Sequence, residues 1–194
     1  SSLVRACLQA YAPQGLRLVE GSAEGGVTYM VRRDQVITAA RLRLMLENSA
    51  GFPADTKLEV TVNGDSVGTI DVGSERHSAT PVDLPVDPIL LGDYNRVGFK
   101  LLGVPLAQCT VNDTGPWMTV SPRSEFDVTA SGLPLANELA VLPLPFFDDR
   151  DPHALRTSFV FGRAPGPAEL EASGIVASWL GGMAGFRGLL LTEP

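Results

Sequence analysis

Between Ala40 and Leu44 the chain alternates apolar and basic positions, Ala40-Arg41-Leu42-Arg43-Leu44. Successive side chains of a strand point to opposite faces, so the leucines share one face and Arg41 and Arg43 the other. This period predicts a half-buried strand within Val36 to Leu46. Leu58-Glu59-Val60-Thr61-Val62 repeats the pattern, and Asn63-Gly64-Asp65-Ser66 leads into Val67-Gly68-Thr69-Ile70-Asp71-Val72. Asn and Gly accept positive φ, so Asn63-Gly64 predicts a tight hairpin. Further strands are expected at Val27 to Val31, Ala79 to Leu84, Arg96 to Leu102, Trp117 to Val120 and Ser124 to Val128, with a short turn over Ile89 to Asn95. Short strands at this density, with turn residues between them, predict a mainly β fold: a jelly-roll β-sandwich over residues 1–135.

The pattern changes near Pro134. Leu139 to Phe147 contains Pro143 and Pro145, and Asp148-Asp149-Arg150-Asp151-Pro152 is a polar loop. Ser158-Phe159-Val160-Phe161 then suits a buried strand, Gly162 to Pro167 a turn, and Ala168 to Met183 a helix. Gly166 and Pro167 occupy the favoured entry positions of that helix, and Leu170, Gly174, Ala177 and Leu180 recur at its spacing. Gly188 to Leu191 completes a strand-helix-strand order, a β-α-β unit. One such unit cannot cover both faces of its sheet. Residues 136–194 are therefore expected to open an α/β domain that continues past Pro194.

Composition narrows the function. The chain has 194 residues, 44% hydrophobic and 19% charged, with 20 glycines and 15 prolines scattered between apolar runs. That supports a packed core and not a disordered chain. The formal net charge of -7 disfavours nucleic acid and anionic membrane surfaces as partners. A neutral polysaccharide is compatible with it. No stretch is long and apolar enough to span a membrane, and no signal peptide is visible over Ser1 to Ala10, so the chain reads as cytosolic or already processed. Cys7 and Cys109 are too few for a disulfide scaffold; an exported chain would allow one bridge between them, which sequence leaves open.

Four stretches together resemble the family of the bacterial cellulose synthase B subunit, also called the cyclic di-GMP-binding subunit. They are Val36 to Leu44; the Leu58 to Gly64 hairpin; Cys109 followed by Trp117; and a composite of Leu142-Pro143-Leu144-Pro145-Phe146-Phe147-Asp148, Ser158-Phe159-Val160-Phe161 and Leu170 to Trp179. The last spacing is the most specific. The likeness runs from Leu16 onward. Ser1 to Ala12 shows no match, and Thr110-Val111-Asn112 separate Cys109 from Asp113, where the family places acidic residues directly after its Cys. The resemblance implies a non-catalytic periplasmic protein beside the catalytic A subunit, tethered to the inner membrane by a C-terminal helix that lies outside these residues. It implies carbohydrate-binding jelly rolls alternating with flavodoxin-like domains, of which this chain would hold the first jelly roll and the start of the first flavodoxin-like domain. The implied partners are that A subunit, the glucan chain, and further copies of the chain through self-association.

Sugar recognition on a β-sandwich uses exposed aromatic rings that stack on sugar faces, with polar groups meeting hydroxyls. Tyr29, Phe99 and Phe126 fall on strand alternation and read as core. Phe52, in a loop, and Tyr94, beside a turn, are the better stacking candidates, although a loop ring can also plug its own sandwich. Trp117 opens a strand and serves either as a buried anchor or as a platform. Arg41 and Arg43 could meet hydroxyls or carboxylates, or form a solvated strand face.

Gly162-Arg163-Ala164-Pro165-Gly166-Pro167 has no hydroxyl and two prolines without N–H groups, which argues against flavin. No cofactor or metal is expected. His77 and His153 are the two histidines, both in polar loop contexts, and Gly-x-Ser-x-Gly is absent, so no hydrolase constellation is legible. No arginine cluster suited to a dinucleotide is evident. An assembly module without sugar contact is the alternative function, and a glycoside-active enzyme a third.

Overall fold

The computed structural model describes residues 2–19, 22–75, 77–104, 115–151 and 153–191. The chain divides into two compact units: Ser1–Val31 with Val36–Ser131, and Arg32–Gln35 with Gly132–Pro194. Among the described residues it is mainly β, with three sheets and one α-helix. No helix of the described residues is long and apolar enough to cross a membrane.

Among the described residues ten strands build the first unit: β1 (Ser2–Cys7), β2 (Leu16–Val19), β3 (Glu24–Met30), β4 (Gln35–Asn48), β5 (Lys57–Val62), β6 (Asp65–Asp71), β7 (Ser78–Val86), β8 (Tyr94–Leu102), β9 (Trp117–Val120) and β10 (Glu125–Gly132). One sheet has the order β3-β8-β5-β6; the other runs β1-β10-β4-β9-β2, with β7 also paired to β4. The predicted alternation holds along β4, where Leu42, Leu44 and Leu46 are buried and Arg41 and Arg43 exposed. Those leucines and Leu58, Val60, Val62, Val97, Phe99 and Leu101 of the other sheet form one hydrophobic core. Asn63 and Gly64 take φ of 54° and 95°, the two positive values that a tight hairpin between β5 and β6 requires.

The strand pair β1 and β2 carried no recognisable pattern, because their partners define them. β1 pairs along β10 and β2 along β9, and the backbone N–H groups of Leu8 and Gln9 donate to the carbonyls of Ser124 and Pro122 where both rows break.

The second unit contains the parallel pair β11 (Leu155–Thr157) and β12 (Leu189–Leu191), joined through α1 (Pro167–Ala184). The Gly166 N–H donates to the Glu169 carboxylate at 2.6 Å, closing the first turn. The predicted strand over Ser158 to Phe161 is displaced: pairing occupies Leu155–Thr157 instead. Val160 is 76% exposed and does not serve as a core position. Only part of α1 is covered. Leu180 and Ala184 pack with Phe147, while Leu170, Ile175, Val176 and Trp179 are exposed.

Candidate functional site

Tyr94 occupies the first position of β8, and its surroundings fix it there. The next residue, Asn95, is 1% exposed and hydrogen-bonds in both directions with Gly92, accepting from its N–H and donating to its carbonyl, each at 2.8 Å. Asn63 donates to Asn95 Oδ1 at 2.9 Å and to the Leu90 carbonyl at 2.8 Å, and its own Oδ1 accepts the Arg96 N–H at 2.8 Å. The same asparagine that forms the hairpin thus ties down the loop before β8. From the other side the Val31 N–H donates to the Asp93 carbonyl. With Asn95 held inward, strand alternation sends Tyr94, Arg96 and Lys100 outward. Tyr94 keeps 58% of its surface exposed.

Register sets the neighbours on this outer face. Met30 lies opposite Tyr94, Thr28 opposite Arg96, Gly26 opposite Gly98 and Glu24 opposite Lys100; on the other side Thr61 lies opposite Gly98. The Lys100 ammonium meets the Glu24 carboxylate at 2.5 Å, which holds Glu24 below its usual range and raises Lys100. Arg96 lies down on the sheet. One of its terminal nitrogens is 3.4 Å from where a Cβ on Gly26 would stand.

The outer face of the six-stranded sheet is occupied differently. Asp127, whose side chain is 4% exposed, accepts from Arg5 Nε at 3.0 Å and Arg41 Nη2 at 2.7 Å. Burial pushes its carboxyl up, but the hydrogen bonds from Arg41 and Arg5 outweigh this and leave it below the ordinary value. Arg43 meets Asp83 at 3.2 Å. Trp117 is half-buried on β9, and the Arg17 guanidinium lies 5.1 Å from its ring centroid. Its backbone N–H donates to Ser49 Oγ at 2.9 Å.

The sequence-derived residues therefore do not come together. Tyr94 and Trp117 belong to different sheets, and each points outward from its own. Phe52 is 8% exposed and part of the core, which leaves its ring no open face for stacking. Cys7 is exposed at the end of β1, and Cys109 lies outside the described residues. His77 is buried with Nε2 2.8 Å from the Asp71 carbonyl, and His153 pairs with Asp151. Among the described residues no cluster of His, Cys, Asp and Glu could hold a metal ion. Gly162 to Ala164 are exposed, and Arg163 reaches Glu169 at 3.6 Å.

One cluster in the second unit was not anticipated. Arg32 forks onto Asp34 at 2.9 and 2.8 Å, reaches Asp151 at 2.9 Å, and donates to the Pro145 carbonyl at 3.0 Å. Asp148 accepts the backbone N–H groups of Arg33 and Arg150 at 2.6 and 2.9 Å. Arg187 lies 4.7 Å over the Phe147 ring and donates to the carbonyls of Asp148 and Asp151. Arg32, Asp148, Asp151 and Arg187 line a cavity of about 690 Å³ together with Phe146, His153 and Arg156. The paired basic residues at 32–33 and the Asp148 to Asp151 run were the available signals, but nothing in the sequence pairs them. The cavity borders the start of β11, whereas open α/β sheets bind ligands beyond the carboxyl ends of their strands. Arg32 and Asp151 already satisfy each other and Arg187 is taken up by backbone carbonyls, so the cluster reads as a structural knot.

Two family models match the chain: "Cellulose synthase BcsB, first CBM domain" over residues 5–131, and "Cellulose synthase BcsB, first FD domain" over residues 138–192. A protein of Xanthomonas axonopodis pv. citri named cyclic di-GMP-binding protein is 41% identical over 176 residues, covering 89% of this chain and 22% of that one. Proteins of the same name from Escherichia coli O157:H7 and Komagataeibacter xylinus are 33% and 29% identical over 184 residues, covering 93% and 94% of this chain and 23% of each relative. The chain thus spans under a quarter of the length of these relatives. A solved structure of dimeric latent PorU from Porphyromonas gingivalis is similar at a TM-score of 0.43 and 11% identity, covering 68% of this chain and 13% of that one, a likeness too slight to define the fold.

Proposed function

The chain belongs to the cellulose synthase BcsB family, and from that premise we propose that it is part of a non-catalytic subunit that guides the secreted β-1,4-glucan and scaffolds the synthase. In this reading residues 1–135 form a jelly-roll carbohydrate-binding domain that meets the sugar. Residues 136–194 open a flavodoxin-like α/β domain without flavin. Polymerisation belongs to the catalytic A subunit, and the setting is the periplasm, with an inner-membrane tether outside these residues. The relatives are named as binding proteins and not as enzymes, in keeping with this reading.

The observation that carries the proposal is the exposed ring of Tyr94, held by the Asn63–Asn95 hydrogen bonds within the stretch that matches the carbohydrate-binding family model. A preformed ring on a rigid strand offers a sugar face apolar area at little entropic cost. Titration of the 194-residue chain with cellohexaose, followed by NMR, is expected to give saturable shifts in the first unit. A chain with no affinity for cello-oligosaccharides refutes the reading.

Cyclic di-GMP, the ligand in the relatives' names, would need arginines available to phosphates. Arg5 and Arg41 are engaged by Asp127, Arg43 by Asp83, and Arg32 by Asp34 and Asp151. Arg96 is outside any ion pair among the described residues, but it is the single arginine of β3, β5, β6 and β8, where the two phosphates of a cyclic dinucleotide call for a cluster; the glucan is therefore the ligand we assign. A scaffold role without sugar contact is the second reading, favoured by the exposed apolar side chains of α1. Self-association unaffected by glucan would select it.

A further inference from the structure

Resting on the glucan-binding reading, we propose that the polymer is met on the outer face of the four-stranded sheet, at a site formed by the Tyr94 ring, the Arg96 guanidinium and the Thr28 hydroxyl. The six-stranded sheet offers the competing face, and the two differ in what remains to bind with. On the six-stranded face Arg5, Arg41 and Arg43 are spent on Asp127 and Asp83, so a sugar hydroxyl would have to displace an ion pair. Its aromatic residue, Trp117, is half-buried and lies under the Arg17 guanidinium.

The four-stranded face is more open. Tyr94 is more than half exposed, and Arg96, which acts on the Glu24 carboxylate only through its longer-range charge, forms no ion pair among the described residues. The missing side chain at Gly26 lets Arg96 lie flat across β3 and not project into water. A planar guanidinium lying there presents its donors to a ligand on this face. Tyr94 and Arg96 are successive outward positions of one strand, about 7 Å apart, and Thr28 faces Arg96 across the β3–β8 ladder. An apolar ring beside a planar set of donors and a hydroxyl suits a neutral ligand with flat C–H faces edged by hydroxyls, which is the chemistry of a β-linked glucan. The charges of this face, Lys100 between Glu24 and Glu59 with Arg96 also acting on Glu24, balance one another, which suits a neutral polymer better than an ionic one.

The test is cellohexaose affinity of the 194-residue chain and its variants, with thermal unfolding of each as a check on the fold. Tyr94→Ala is expected to weaken binding about tenfold or more, and Tyr94→Phe to stay within about threefold. Arg96→Ala is expected to weaken it about fivefold, with Arg96→Lys failing to restore it because a point charge lacks the planar donor set. Thr28→Arg, a change at an exposed position, is expected to block the site without touching the core. Trp117→Ala is expected to leave affinity unchanged. If the wild-type chain binds cellohexaose while Tyr94→Ala, Arg96→Ala and Thr28→Arg all bind equally well, glucan binding stands and this placement falls. If the wild-type chain does not bind, both fall.

Discussion

Arg32→Ala removes a guanidinium that makes four hydrogen bonds in the second unit, two to Asp34 and one each to Asp151 and the Pro145 carbonyl. The Asp34 hydrogen bond is the main force raising the Arg32 pKa; burial opposes it and the Asp151 bond adds to it, so the charged fork is held strongly. Exposed ion pairs contribute under about 1 kcal/mol, and breaking a buried pair costs about 3–5 kcal/mol. The Arg32, Asp34 and Asp151 side chains retain 21%, 12% and 26% exposure. That places the loss between the two limits, at about 2–3 kcal/mol after allowing for solvent screening. Amide hydrogen exchange is the assay. Protection of the α1 and β12 amides is expected to fall about 30- to 140-fold, and the amides of β5 and β8 in the first unit to keep theirs. Arg32→Lys keeps the charge but not the fork, so it should fall between wild type and alanine. Unchanged protection in α1, or an equal loss in β5 and β8, would refute the view that this cluster is what stabilises the second unit.

Asp127→Asn removes the charge that Arg5 and Arg41 share and is expected to lower stability by about 1–2 kcal/mol, read from denaturant midpoints; the half-exposed arginines keep the figure below that of a fully buried pair. The folded-state pKa values of Asp127, Asp148 and Asp151 are all depressed, because hydrogen bonds and neighbouring arginines outweigh burial. The stability they contribute is therefore present above the unfolded carboxylate range near about pH 4 and lost as pH falls through the lower folded values, so unfolding midpoints should be flat from pH 7 to 5 and drop below about pH 4. Gly64→Ala meets no neighbour but forces an L side chain to φ 95°, and should cost about 1 kcal/mol in thermal unfolding.

Strand faces were legible wherever one side of a sheet is buried. Leu42, Leu44 and Leu46 went inside and Arg41 and Arg43 outside, as their alternation demanded. Asn63-Gly64 announced its hairpin because few other pairs accept two positive φ angles. Ser158 to Phe161 was misread because a short apolar run carries no periodicity; the partner β12 decided which residues pair, and it chose Leu155–Thr157. Arg32 and Asp151 are separated by 119 positions, and only the folded backbone brings them to 2.9 Å.

The outer faces resisted reading for a related reason. Alternation shows that Arg41, Arg43, Tyr94 and Arg96 all point outward, but not what stands beside each one. Register supplies that: Arg43 lies opposite Asp83 and forms an ion pair with it, whereas Arg96 lies opposite Thr28 and forms none among the described residues. Two arginines with the same sequence signature thus acquire different chemistry from a single cross-strand neighbour. The same comparison separates the aromatics, since Phe52 and Tyr94 both sit at loop edges and only the buried Asn95 beside Tyr94 forces one ring into the open. Which groups an outer face offers is therefore a property of strand pairing more than of composition, and residues that anchor register, such as Asn63 and Asn95, fix where Tyr94 stands in the proposed site.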